Sequence, residues 1–172
     1  ITQPLLYRYF PSKDSLIERV YQEVYVNRWN PDWEVLIADR KQPLMSRMIN
    51  FYRQYADVIY DYNWVRIFIF SGLKGADIND RYIAHVRAKL LVPLCAEMRH
   101  DFGLPSPAQT PISSEEIELV MGLHGMFFYR AVRHFVYNLP MIDDPDAAIE
   151  NDVRTFFKGA PTTLKAMLAQ AH

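Results

Sequence analysis

The chain has 172 residues, the length of one domain or of one domain with a small appendage. Half of it is hydrophobic and its net charge is −1, which excludes both a disordered chain and a polycation. A lone cysteine, Cys95, excludes an internal disulfide framework and a Cys-rich zinc module.

No apolar stretch approaches the ~18–20 residues that a membrane span needs, so no membrane association is expected. The first residues lack the basic and apolar regions of a secretion signal, and a reducing cytoplasm is the expected setting. The chain opens Ile1-Thr2-Gln3-Pro4 without a methionine and reads as an entry into the middle of a longer product.

The apolar periodicity is helical almost throughout. A short helix is expected from Thr2 to about Phe10. From Lys13 onward, Leu16, Ile17, Val20, Tyr21 and Val24 share a face, with Ser12 as N-cap and Asp14 at the positive helix end. Asn30-Pro31 interrupts that helix. After Pro43 a second stripe runs Leu44, Met48, Phe51, Tyr52, Tyr55, Ile59 and Tyr62. Trp64 to Leu73 is almost wholly apolar and is expected to be buried on most sides, ending at Gly72 and Gly75. Asp80 is expected to cap a long helix with Tyr82, Val86, Leu90, Leu94 and Met98 inward, kinked at Pro93.

Gly103 to Pro111 reads as a loop. Ser113 or Ser114, with Glu116, opens a helix in capping-box style. Its apolar face carries Val120, His124, Phe127, Phe128 and Ala131, and Pro140 ends it. Asp144-Pro145 starts a last helix, with proline where its missing N–H costs nothing and Pro161 as a bend or joint. No strand alternation is convincing. The expected fold class is all-α: a helical bundle with two long C-terminal helices, Ser113–Asn138 and Asp144–Ala171. Their apolar faces are too wide to bury within one subunit, so a homodimer through those two helices is expected.

The most informative residues are the first sixteen. If Ile1, Leu6 and Phe10 face a core, Gln3, Tyr7, Arg8 and Tyr9 project. Gln reads adenine edges, Tyr and Thr donate to phosphate, and Arg contacts phosphate or guanine. Lys13 opposes the dipole of the helix it opens and is better placed facing an external phosphate. The run Thr2-Gln3-Pro4-Leu5-Leu6-Tyr7-Arg8-Tyr9-Phe10-Pro11-Ser12-Lys13-Asp14-Ser15-Leu16 resembles the end of the helix-turn-helix in TetR-type transcriptional regulators. It matches the recognition helix and the start of the helix that follows.

The resemblance implies a dimeric, ligand-responsive DNA-binding protein, most simply a repressor released by a small hydrophobic or aromatic molecule. It places Thr2, Gln3, Pro4, Tyr7 and Tyr9 at double-stranded DNA, with Lys13 on a phosphate. It divides the chain into residues 1–28, a remnant of the DNA-binding domain, and 29–172, a ligand-binding and dimerisation domain. The two helices that precede a recognition helix are missing, so this stretch alone is an incomplete helix-turn-helix.

The aromatic excess is the second clue. Tyr52, Tyr55, Trp64, Phe68, Phe127 and Phe128, together with Val86 and His124, form a candidate pocket lining for a hydrophobic inducer. The same residues also serve as ordinary core, and His124 as a core histidine with one hydrogen bond. Gly122 and Gly125 inside a helix fit either close packing within the subunit or a dimer face. Arg130 and Arg133 fit either solvent or an interface rim. Glu97-Met98-Arg99-His100 has the spacing of di-iron bundles, but lacks a second such motif and reads as a solvated helix end. No nucleophile elbow, phosphate loop or metal-ligand spacing appears, so no catalytic residue, metal or cofactor is expected and the chain is not expected to be an enzyme. The alternative is a helical small-molecule-binding protein or enzyme bundle without DNA binding.

Overall fold

The structure is a computed structural model that describes residues 10–170. Every regular element among them is helical, as expected from the periodicity. The elements are α1 (Lys13–Val24), α2 (Asp32–Ala38), α3 (Leu44–Ile59), α4 (Tyr62–Leu73), α5 (Ile78–Val86), α6 (Val92–Asp101), α7 (Ser114–Phe135) and α8 (Pro145–Gln170). Among the described residues, no helix is long and apolar enough to cross a membrane.

Several ends lie where side-chain chemistry places them. Ser12 caps α1 through a reciprocal capping box with Ser15. Ser113 caps α7 in the same way with Glu116. Asp61 opens α4 by accepting from the Trp64 N–H at 2.7 Å. Gly75 and Gly103, both in the left-handed region, close α4 and α6, as an αL C-terminus requires.

Several details differ from the periodicity reading. First, α2 was not expected. Asn30 Oδ1 accepts from the Asp32 N–H at 2.9 Å and starts a two-turn helix that buries Trp33 and Ile37. Second, the helix expected from Asp80 begins at Ile78, with Asp77 before it, so Asp80 lies in its first turn. Third, Pro93 does not simply kink a long helix. The backbone widens into a π-turn over Arg87–Leu91 immediately before it, joining α5 to α6. A proline ring crowds the carbonyl four residues back, and a wider turn relieves that clash. Fourth, α4 is not buried on most sides: Trp64 and Val65 are, but Phe70 is 62% and Leu73 80% exposed. Fifth, Tyr62, expected at the end of the α3 stripe, instead opens α4 and is exposed.

α3 is the axis of the bundle, packed against α2, α6, α7 and α8. Its Leu44, Met48, Phe51, Tyr52, Tyr55 and Ile59 are all buried. α1 joins the same core through Tyr21 and Tyr25, so the boundary expected after residue 28 does not coincide with a break in packing. An exposed clamp reinforces that joint: Arg81 of α5 lies over the Tyr21 ring at 3.8 Å and pairs with Glu18 at 2.8 Å. In α8, Ile149, Val153, Phe157, Ala160 and Leu164 are buried, and Pro161 does not end the helix.

Two buried ionic clusters tie distant elements together. Glu97 of α6 accepts from Arg40 at 2.8 Å and from Arg47 of α3 at 3.1 Å. Glu97 is therefore no part of a solvated helix end; the two guanidinium groups hold its carboxyl below the usual range against the opposing effect of burial. Arg99 is fully buried and pairs bidentately with Glu116. Its remaining N–H groups donate to the carbonyls of Pro105, Thr110 and Pro111, which fastens the 103–111 loop to the start of α7. Breaking such a pair strands a buried charge. Arg99→Ala is expected to cost about 3–5 kcal/mol in urea unfolding, and Arg99→Lys to restore only part, because an ammonium lacks the planar fork. A loss under 1 kcal/mol would contradict this account.

Candidate functional site

Of the eight residues expected to line a pocket, Tyr52, Tyr55, Trp64, Val86, His124 and Phe127 lie buried in the interior of the bundle. The Asp61 cap fixes the first turn of α4 and so points Trp64 inward, where it is 1% exposed. Tyr52 and Tyr55, one turn apart on α3, face His124 and Phe127 of α7. Tyr52 stacks on Phe127 with centroids 4.1 Å apart, and Trp64 stacks on Phe68 at 5.4 Å. Phe128 meets Phe68 edge-on at 5.3 Å and Trp64 at 6.1 Å. Val86 is fully buried in the same core. Phe68 and Phe128 are only half-buried.

The rings thus fill the space between their helices by packing on one another. A hollow opens elsewhere, on the outer face of α4. It measures about 370 Å³ and is lined by Arg66, Ile67, Phe70, Leu73 and Val136 among others.

Two residues outside the expected set belong to the layer. Tyr25, just past α1, sets its ring edge-on to Trp64 at 5.1 Å, and its hydroxyl donates to the Trp64 carbonyl at 3.3 Å. Tyr82 of α5 shares a hydrogen bond of 2.9 Å with the Tyr55 hydroxyl. Tyr82 was visible as part of an apolar stripe. Tyr25 gave no signal beyond continuing the α1 face.

His124 is 6% exposed, and its Nε2 lies 3.4 Å from the Tyr55 hydroxyl. A chain Tyr82–Tyr55–His124 therefore links α5, α3 and α7. Either direction of donation along it is allowed, and the direction fixes whether His124 Nδ1 carries the proton. Burial lowers the His124 pKa to about 4, so the ring is neutral at physiological pH. Burial also raises the pKa of Tyr52, Tyr55 and Tyr82, which keeps all three hydroxyls protonated. The Tyr52 hydroxyl, Trp64 Nε1 and His124 Nδ1 are buried without a hydrogen-bond partner among the described residues. Each such group costs roughly 1–3 kcal/mol.

The other candidates are dispersed. His85 sets its ring against Trp29 at 4.7 Å, and His134 Nδ1 lies 2.9 Å from the Leu139 carbonyl, so neither approaches His124. Among the described residues, no three His, Cys, Asp or Glu side chains are grouped to hold a metal ion. Burial pushes the Cys95 thiol up to about 12, and its Sγ donates to the Glu116 carbonyl at 3.5 Å. Gly122 and Gly125 lie against open space: a Cβ at either meets nothing within 4 Å, so they are not close-packing positions within the subunit. Arg130 is paired rather than solvated, with Asp152 at 2.5 Å and the Tyr60 hydroxyl at 3.2 Å. Of the expected DNA-contacting residues, Thr2, Gln3, Pro4, Tyr7 and Tyr9 lie outside the described residues. Lys13 is exposed at the first position of α1. Comparison with family models, curated proteins and solved structures finds no match to this chain.

The depressed pKa of His124 has a consequence for stability. The unfolded chain takes up a proton near pH 6.5, while the folded chain resists until about pH 4. This contribution is therefore complete above pH 6.5 and is lost as pH falls from 6.5 to 4, by up to about 3 kcal/mol. Urea unfolding across that range should show a steeper acid loss in the wild type than in His124→Phe. Parallel curves would show that the ring is not held neutral.

Proposed function

We propose that this chain is the ligand-sensing and dimerising part of a TetR-type DNA-binding transcriptional regulator, together with the end of its helix-turn-helix. The observation that carries the reading is the junction at Ser12-Lys13. The Thr2-to-Leu16 motif runs into a helix that starts at Lys13, and that lysine is exposed where the helix dipole repels it. An external phosphate gives the ammonium a partner. Leu16 and Ile17, on the same helix, remain only half-buried, which suits a further helical layer resting there.

The mechanism is a population shift. α1 carries the DNA-contacting segment and ends at Tyr25, whose ring and hydroxyl rest on Trp64. A small molecule entering the aromatic layer displaces that support and favours a dimer whose recognition helices no longer match successive major grooves, ~34–36 Å apart. The protein made from its complete reading frame is expected to select a palindromic duplex from a random pool. Lys13→Ala should weaken binding to every sequence and flatten the slope of log K against log salt by about 0.9 per protomer. Absence of duplex binding at low salt would refute the reading.

Homodimerisation through α7 and α8 belongs to the same proposal. The outer face of α7 presents Gly122, Gly125, Met126 and Tyr129, with Met126 45% and Tyr129 55% exposed. Gly159 of α8 also stands in open space. This smooth apolar face suits close approach of two helix pairs. Tyr129→Glu is expected to give a monomer at micromolar concentration in sedimentation, with helix content unchanged. A wild-type monomer under those conditions would overturn the dimer.

A further inference from the structure

The outer face of α7 carries a stripe of residues spaced three or four apart: Glu118, Gly122, Met126 with Gly125 beside it, Tyr129 and Arg133. Residues at that spacing share one face of a helix, and at 1.5 Å per residue the stripe runs roughly 22 Å. Glu118, Gly122, Met126, Tyr129 and Arg133 are all exposed. Its two charges are unused within the subunit. Arg130, three residues before Arg133, is committed to Asp152 and the Tyr60 hydroxyl. Among the described residues no carboxylate pairs with Arg133, whose guanidinium sits over the Tyr129 ring at 5.6 Å, and no cation pairs with Glu118.

The stripe is complementary to its own reverse. Counted outward from the midpoint between Gly125 and Met126, Gly122 on one side answers Tyr129 on the other, and Glu118 answers Arg133. A Cβ at Gly122 meets nothing within 4 Å, so that position is a hollow in the face, whereas Tyr129 stands 55% exposed. A twofold axis through the midpoint and perpendicular to the helix lays α7 antiparallel on a second copy, and every residue then meets its answering position. The parallel alternative sets Glu118 against the partner's Glu118 and Arg133 against the partner's Arg133. Like charges held opposite each other repel, so the charge pattern selects the antiparallel arrangement.

We infer that two copies of this chain dock α7 on α7 in antiparallel register about the Gly125–Met126 midpoint, with Tyr129 seated on the partner's Gly122 and Arg133 paired with the partner's Glu118. The inference rests on the homodimer reading above and adds its register and the residues that select it.

The test measures dimer dissociation constants by sedimentation at low salt, with circular dichroism to check that each variant keeps its helix content. Glu118→Arg and Arg133→Glu each turn two attractive contacts per dimer into repulsive ones and are expected to weaken the dimer about tenfold. The double variant restores opposite charges with their places exchanged and is expected to return to within about threefold of the wild type. Disulfide trapping supplies a readout that does not depend on charge, and the buried Cys95 does not compete. Met126→Cys stands beside the axis and cross-links in any twofold dimer through this face. Gly122→Cys mixed with Tyr129→Cys is expected to give a cross-linked heterodimer, and Gly122→Cys alone to give none. Single variants that dimerise like the wild type, a double variant as weak as the singles, or cross-linking of Gly122→Cys alone would each overturn the register; cross-linking of Met126→Cys would then leave the homodimer reading standing. A wild-type monomer at micromolar concentration, with no cross-link in Met126→Cys, would overturn both.

Discussion

Enclosure of α3 is the constraint on which the rest of the structure depends. α2, α6, α7 and α8 cover its inner face, so every polar group on that face must find its partner inside the protein, while Ser46, Asn50 and Asp57 lie exposed on the other. Arg47 does so through Glu97 and the Ile37 carbonyl. Tyr55 does so through Tyr82 and His124. Tyr52 does not. The same enclosure that makes α3 the core of the bundle therefore creates both its buried ionic staple and its unpaired polar tips. A purely aliphatic α3 would bury as well without either. Tyrosines where Leu or Ile would suffice are what place polar tips inside the core.

The sequence made the fold legible wherever one face of a helix decides its environment. The stripe from Leu44 as far as Ile59, though not its expected last member Tyr62, the capping box at Ser113 and the proline start at Pro145 specify their elements locally, and the structure has them. α2 was illegible because its two turns are too short for a periodic signal, although Trp33 and Ile37 stand four residues apart behind Asn30-Pro31. The exposure of Phe70 and Leu73 could not be read from α4 either. Apolar content says that a surface prefers burial, and only the arrangement of neighbouring helices says whether anything covers it.

Charged positions were the least legible. Glu97 and Arg99 look like an ordinary polar helix end, and Glu116 like an ordinary capping-box glutamate. Their partners lie far away in sequence: Arg40 and Arg47 for Glu97, and the α7 start for Arg99. No spacing rule within one helix reports a pairing between two. The candidate residues were legible as neighbours, because ring-rich faces from α3, α4 and α7 must meet inside a bundle, and the structure packs them on one another. Their internal arrangement was not. That Tyr55 finds partners while Tyr52 is left without one follows from the azimuth of α5 and α7 around α3, and nothing local to α3 encodes it.

α7 shows how the two proposed activities constrain each other. Its inner face supplies His124 and Phe127 to the aromatic layer, and its outer face presents Gly122, Met126 and Tyr129. These faces share one capped helix of 22 residues, without a proline to absorb a local shift. Under the proposed reading, a guest that moves the His124 side therefore moves the dimer face as a body. Linkage requires the effect to be reciprocal: whatever factor the guest changes in dimer affinity, dimerisation changes in affinity for the guest. Glycines at 122 and 125 make that arrangement workable. In the proposed dimer they add no side chains to wedge two subunits apart, so a small rotation of α7 would change the approach of the helices without a steric clash. A bulkier outer face would pack more firmly and would hold the inner face still.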